Sequence, residues 1–285
     1  MLKKLDILWA LTTPRPPLDF VLPGLLSGSF GLLVAPGATG KSQLALDVAI
    51  SLALSRPIAN GLFQAYPPSK VVFLAAEECD SLLAERMRHL ISANEQHNPG
   101  LADNLILLPM AGEPCGLVAN GRPTALYQEL REISANARLI IIEPLRRLHG
   151  GDENSSADMT QFVVLMEQLA RTTGAAVLGL HHANRASAGD GGSQHAARGS
   201  SALVDGARWQ LNLSRMDEKT ADQNRLSDSE RALYVALDFA KTNYLPPQPR
   251  CWLKRGDGGR FSPAQLPTAA KARAVGGARL LNMNN

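Results

Sequence analysis

An α/β fold, with a central and mostly parallel sheet carrying helices on both faces, is predicted by three features of the 285-residue sequence. Several short apolar runs are continuous rather than alternating: FGLLVA (30–35), VVFLAA (71–76), LIII (139–142) and AVLGL (176–180). Strands buried on both faces read this way, because neither side of the pleat meets water. Stretches of helical period lie between these runs, and strands alternating with helices favour a doubly wound, three-layer αβα sheet. Hydrophobic residues make up 45% and charged residues 19%, which suits a globular core rather than a disordered chain.

The elements follow in order. Ser42 to Leu54 is Ala/Leu-rich, with Leu44, Val48 and Leu52 at i+4 spacing. Asp80 is placed to cap a helix whose inward face is Leu83, Met87, Leu90 and Ile91. Met159, Phe162, Val163, Met166, Leu169 and Ala170 form another helical stripe. From Trp209 onward come short β-like runs, WQLNL, YVALDF and CWLK. Residues 149–158 and 184–200 are polar, Gly/Ser-rich and follow predicted strands. By composition they are ordinary surface loops, but in open α/β sheets ligands gather beyond the carboxyl ends of strands. Three regions are expected. Residues 1–28 are a segment packing on the core or on a neighbour, and 29–260 are the core. Residues 261–285 form a flexible basic tail that has no acidic residue and carries Lys271, Arg273 and Arg279.

Composition narrows the function classes. No apolar run approaches the roughly 20 residues that span a bilayer, so no membrane partner is expected. Asp6 interrupts the apolar start and no small-residue cleavage site follows, so no signal peptide is read. Three scattered cysteines (Cys79, Cys115, Cys251) show neither metal spacing nor a disulfide framework, and a cytoplasmic location is expected. A net charge of +3 excludes a generic polycation while leaving a local basic channel open.

The stretch Ala35-Pro36-Gly37-Ala38-Thr39-Gly40-Lys41-Ser42, followed by Gln43, sits after a buried strand and before a helix. That is where a phosphate-binding loop works, since backbone N–H groups and the helix N-terminus both face the anion. Lys41 is assigned to the β- and γ-phosphates of ATP and Ser42 to Mg²⁺. Ala35 stands where such loops begin with glycine; a methyl is tolerated there if φ is negative. Beyond the next strand, Glu77 and Glu78 are candidates to orient an attacking water, with Glu77 nearer the strand end and preferred. Glu143, after four apolar residues, has the pattern of a Walker B acid for the metal's water shell, with glutamate in place of the usual aspartate. The strand ending in His181 and His182 offers a polar sensor of the γ-phosphate, a core histidine being the plainer alternative.

Together these residues resemble the RecA-like P-loop ATPase family of the plasmid replicative helicase RepA. The resemblance runs from LDFVLPGLLSG through APGATGKS, LAAEE, EPLRRLHGGDENSSADM and LHHANR to ARGSSALVDGARWQ and FAKTNY. It implies a hexameric ring with composite nucleotide sites between subunits. Lys41, Ser42, Glu77, Glu143 and His182 match the family's phosphate, Mg²⁺, catalytic, Walker B and sensor positions. Arg208 matches the arginine finger offered to a neighbour's site, and Lys241 resembles the basic finger of related ring helicases. The two Gly/Ser-rich loops match the channel loops, with Arg146, Arg147, Arg185 and Arg198 in or beside them. They would grip single-stranded DNA through its phosphates. A primase or origin-binding protein is expected as a further partner. The expected activity is ATP-dependent helicase or translocase action in plasmid or mobile-element replication. The alternatives are a nucleotide-gated DNA-binding or recombination-accessory ATPase with little turnover, which the Glu143 substitution keeps open, and a P-loop phosphotransferase.

Overall fold

The computed structural model describes residues 4–184 and 192–267. Its centre is a nine-stranded sheet. The strands are β1 (Phe30–Ala35), β2 (Val71–Ala75), β3 (Leu105–Pro109), β4 (Leu139–Glu143), β5 (Ala176–His182), β6 (Trp209–Arg215), β7 (Tyr234–Thr242), β8 (Cys251–Arg255) and β9 (Phe261–Ala264). They lie in the order β3-β2-β4-β5-β1-β6-β7-β8-β9. The first six of these are mutually parallel, and the last three continue as an antiparallel meander.

The continuous apolar runs are explained by the two cores. Leu33, Ala35, Val71, Phe73, Leu139 and Ile141 enter one core, on the face covered by α2 (Lys41–Leu54). Their immediate neighbours Leu32, Val34, Val72, Leu74, Ile140 and Ile142 enter the other. There they meet Phe162, Met166 and Leu169 of the helix Ser156–Thr173. Burying such a Leu, Ile or Phe side chain stabilises the fold by about 1.5–3 kcal/mol. The helix α2 is buried almost all round from Leu44 to Ala53, so the i+4 stripe in its sequence is only part of its contact surface. The next helix, α3 (Asp80–Leu90), has Cys79 rather than Asp80 at its N-cap position, without a side-chain capping bond. Asp80 falls inside the first turn, where its charge complements the helix dipole. Leu83 and Leu90 of α3 are buried as expected.

One boundary needs correction. The core does not stop at Arg260, because β9 pairs with β8 to form the sheet edge and Phe261 is 3% exposed. An aromatic ring and Leu266 gave this segment enough apolar surface to pack, although glycines and basic residues dominate around it. The basic positions Lys271, Arg273 and Arg279 lie outside the described residues. At the other end, the hairpin of Phe20–Leu22 and Leu25–Leu26 packs Val21, Leu22 and Leu25 into the core. The helix before it, α1 (Ile7–Thr12), buries none of its residues, leaving Leu8 73% and Leu11 81% exposed.

The crossovers set up the site. From β1 the chain passes β5 and β4 to build β2, so the carboxyl ends of β1, β2, β4 and β5 share one edge. In register, Ala35 faces His182 and Ala75 faces Glu143. Crevices of open α/β sheets form at such reversals of strand order.

Candidate nucleotide site

The loop between β1 and α2 is shaped by local backbone conformation. Ala35 is a fully buried strand residue rather than a loop residue, so the methyl there asks nothing of φ. The left-handed positions are Ala38 (φ 59) and Gly40 (φ 98). Gly40 is the N-cap of α2, and a Cβ there would lie 2.6 Å from the ring of Phe261. Two guanidinium groups hold the loop by its carbonyls. Arg215 Nη2 donates to the Gly37 oxygen at 2.9 Å, and Arg255 Nη2 donates to the Thr39 oxygen at 2.7 Å. With these acceptors satisfied, the site keeps what an anion needs, donors and the positive end of a helix.

Residues 36–43 line a cleft of about 410 Å³, together with Glu77, Glu143 and His182. Lys41 Nζ lies 3.0 Å from Glu143 Oε1, and Ser42 Oγ donates to the same oxygen at 2.5 Å. Lys41 and Glu143 are 6% and 7% exposed, so this pair is screened little by water. The second carboxylate oxygen of Glu143 is buried with no partner among the described residues. A serine hydroxyl beside a half-satisfied carboxylate is an all-oxygen donor set, which fits a hard divalent cation such as Mg²⁺.

The adjacent glutamates separate. Glu77 is exposed on the cleft wall, whereas Glu78 is 9% exposed and paired with Arg86 at 2.7 Å. Burial pushes the Glu78 carboxyl up, with Arg86 opposing. His182 is half-buried on the cleft wall, its pKa lowered by burial and by the Lys41 charge. Its neighbour His181 is buried and bonds through Nε2 to the Arg198 carbonyl at 2.8 Å. Because a carbonyl only accepts, the neutral ring carries its proton on Nε2.

Burial pulls the His181 pKa from 6.5 to about 4. The unfolded chain therefore takes up this proton first, and stability is lost as pH falls from about 6.5 toward 4. The full effect is ~3 kcal/mol. Urea unfolding at stepped pH should show this loss, and His181→Gln should flatten it.

The candidate arginines divide by location. Arg146 and Arg147 are exposed on a short 3-10 turn after β4. Arg198 forms an ion pair with Glu153 and keeps 38% of its side chain exposed. Arg185 lies outside the described residues. Arg208 is exposed just before β6, where Trp209 pairs with Gly31 at the start of β1. It therefore sits one strand length, about 20 Å, from the phosphate loop of its own chain. Lys241 does not line the cleft either. Its ammonium donates to the carbonyls of Val204 and Asp205 at 2.9 and 3.0 Å, at the end of the helix Ser201–Gly206.

Sequence reasoning missed Arg86, Arg255, Gly258 and Gly259, all of which line the cleft. Arg86 carried a readable signal, a basic residue on the helix that directly follows the Glu77–Glu78 pair. The run RGDGGR after CWLK is also a glycine-rich turn between strands, which the sequence reading left within the core without a role.

A strand, a glycine-lysine-serine loop and a helix, faced by an acid at the end of the next strand but one, define the site of a P-loop ATPase. The chain belongs to the AAA domain family, whose model (AAA_25) matches residues 1–188. Among solved structures, the ATPase domain of G40P superposes with a TM-score of 0.62 at 15% identity, covering 91% of this chain and 96% of that one. A DnaB-like replicative helicase, described with its interactions with primase, gives 0.61 at 15% identity, covering 91% and 67%. The KaiC-like protein PH0186 of Pyrococcus horikoshii OT3 gives 0.58 at 14% identity, covering 87% and 100%. At these identities the likeness is one of fold: the sheet and its flanking helices are RecA-like. Among the described residues, no helix is long and apolar enough to cross a membrane.

Proposed function

We propose that this protein is an ATP-driven, ring-forming helicase or translocase on single-stranded DNA, acting in the replication of a plasmid or mobile element. One observation carries the reading. The Arg198 backbone N–H donates to the His182 carbonyl at 3.0 Å, and its carbonyl accepts from His181, so the second polar loop is bonded to the strand end that lines the nucleotide cleft. A change sensed at His182 is thereby passed to a basic loop without an intervening element.

In this reading Lys41 and residues 36–43 bind the ATP phosphates, and Glu77, an acid on the cleft wall with no ion pair among the described residues, orients water toward the γ-phosphate. Ser42 and Glu143 hold Mg²⁺, which when bound supplies neutralisation of phosphate charge. Arg208 and Lys241 lie too far to serve their own cleft and act on a neighbour's, as composite sites in a hexamer require. The exposed apolar helix α1 is a surface such an assembly would cover. Arg146, Arg147, Arg185 and Arg198 track DNA phosphates. A primase or origin-binding protein is the further partner, in keeping with the DnaB-like neighbour described with primase.

A second reading, a nucleotide-gated DNA-binding ATPase with little turnover, is favoured by Glu143. Its carboxylate reaches both Lys41 and Ser42, the groups that phosphate and metal would claim. Steady-state ATP hydrolysis with and without single-stranded DNA, at two salt concentrations, separates the two. The motor reading expects stimulation by DNA that weakens with salt. Tight ATP binding without turnover would sink it in favour of the second.

A further inference from the structure

The roots of the two polar loops are fastened to each other at one point. Arg198 pairs with Glu153 through Nη2 and Oε1. The Glu153 carbonyl accepts from Ser200 N at 2.8 Å, and the Ser156 and Ser200 hydroxyls share a bond at 3.0 Å. Gly199 (φ 86) lies so close that a Cβ there would stand 2.5 Å from the Glu153 carbonyl oxygen. The ion pair itself is incomplete. Arg198 Nε and Glu153 Oε2 are both buried with no hydrogen-bond partner among the described residues. A guanidinium meeting a carboxylate well does so through two parallel bonds, and here one edge of each group is unmet. A phosphate offers several oxygens to the Nε and Nη2 edge and would satisfy both donors at once.

We propose that Glu153 is an internal phosphate surrogate, holding Arg198 until a phosphate of single-stranded DNA displaces it, so that binding of DNA unfastens the two loops. The proposal rests on the DNA-binding reading of these loops. Displacement breaks a single-contact pair and makes a better one, which keeps its cost low. It also frees Glu153 from Arg198, and Arg198 is bonded by its backbone to His181 and His182. Glu153 is therefore a positioning residue: it acts on DNA only through Arg198.

The test measures binding of a fluorescein-labelled oligothymidylate to the full chain and to Glu153→Gln, Arg198→Ala and the double variant, with thermal unfolding to establish that each is folded. Phenylglyoxal modification of Arg198, read by mass spectrometry, reports the pair without DNA. The expected result is faster modification of Arg198 in E153Q and about tenfold tighter DNA binding, within the range usual for coupled sites. The gain should disappear in the double variant. Wild-type binding with no gain, or a loss, in folded E153Q would overturn the proposal while leaving the DNA-binding reading intact. Failure of every form to bind DNA would overturn both. If Glu153→Gln does not fold, carbodiimide-mediated amine labelling of Glu153 in wild-type protein, read by mass spectrometry, takes its place: labelling unchanged when oligothymidylate is added overturns the proposal, and faster labelling of Glu153 supports it.

Discussion

Lys41→Ala is expected to lower ATP turnover by at least about 10²–10³-fold, the cost of removing one preorganised donor from a site where charge develops. Among the described residues the ammonium is the only Lys or Arg charge in an ion pair with Glu143, and it lies in the loop that lines the cleft. Its removal has a second consequence. Glu143 would remain buried with only the Ser42 hydroxyl on one oxygen and nothing on the other. Breaking a buried pair from one side costs about 3 kcal/mol, because an uncompensated charge stays behind. The Lys41→Ala protein should therefore unfold at a lower temperature as well as lose turnover. Adding Glu143→Gln removes the stranded charge and should restore much of the stability, but not the activity. Phosphate release and thermal unfolding measured on the same preparations check both halves. An active Lys41→Ala protein would mean that the loop does not serve hydrolysis. A variant as stable as wild type would mean that the Lys41–Glu143 contact contributes nothing net.

The sheet and the phosphate loop were legible in the sequence because their signals are local. Runs such as LIII and FGLLVA have no polar residue to place outside, so burial on both faces follows from composition alone. Gly40, Lys41 and Ser42 are contiguous, and a strand and a helix on either side supply their context. What was not legible depends on segments distant in sequence coming together. Nothing near Gly40 announces that Phe261 packs on it, and the aromatic residue was read as the first of a tail. The tethers from Arg215 and Arg255 to the loop carbonyls cross 178 and 216 residues of chain. The pairing of Arg198 with Glu153 turns two loops that read as independent into one unit. Glu77 lines the cleft, whereas Glu78 is held in an ion pair with Arg86 that the sequence did not announce.

The sheet's geometry yields the other large effect, at Arg208. Its position beside the start of β1, with the phosphate loop at the far end of the same strand, forbids contact with its own nucleotide cleft. If it serves hydrolysis, it serves a neighbour's, and Arg208→Ala should lower turnover by about 10³–10⁵-fold, as loss of an arginine given in trans does. ATP affinity should change much less, since the phosphate loop, Glu77 and Glu143 are all retained in the same chain. The decisive form of the experiment mixes subunits. Arg208→Ala chains keep an intact cleft, and Lys41→Ala chains keep an intact arginine. In a head-to-tail ring assembled from equal amounts of both, about one interface in four joins the good cleft to the good arginine. The mixture should then hydrolyse ATP although neither component does alone. An arginine acting within its own subunit would give no recovery, since no chain in the mixture holds both groups. Recovery also requires that the chains exchange, so a size measurement on the mixture belongs with the assay. Turnover regained in the mixture would establish at once that the protein assembles, that its sites are shared between subunits, and that the edge of the sheet farthest from the phosphate loop is where one subunit addresses the next.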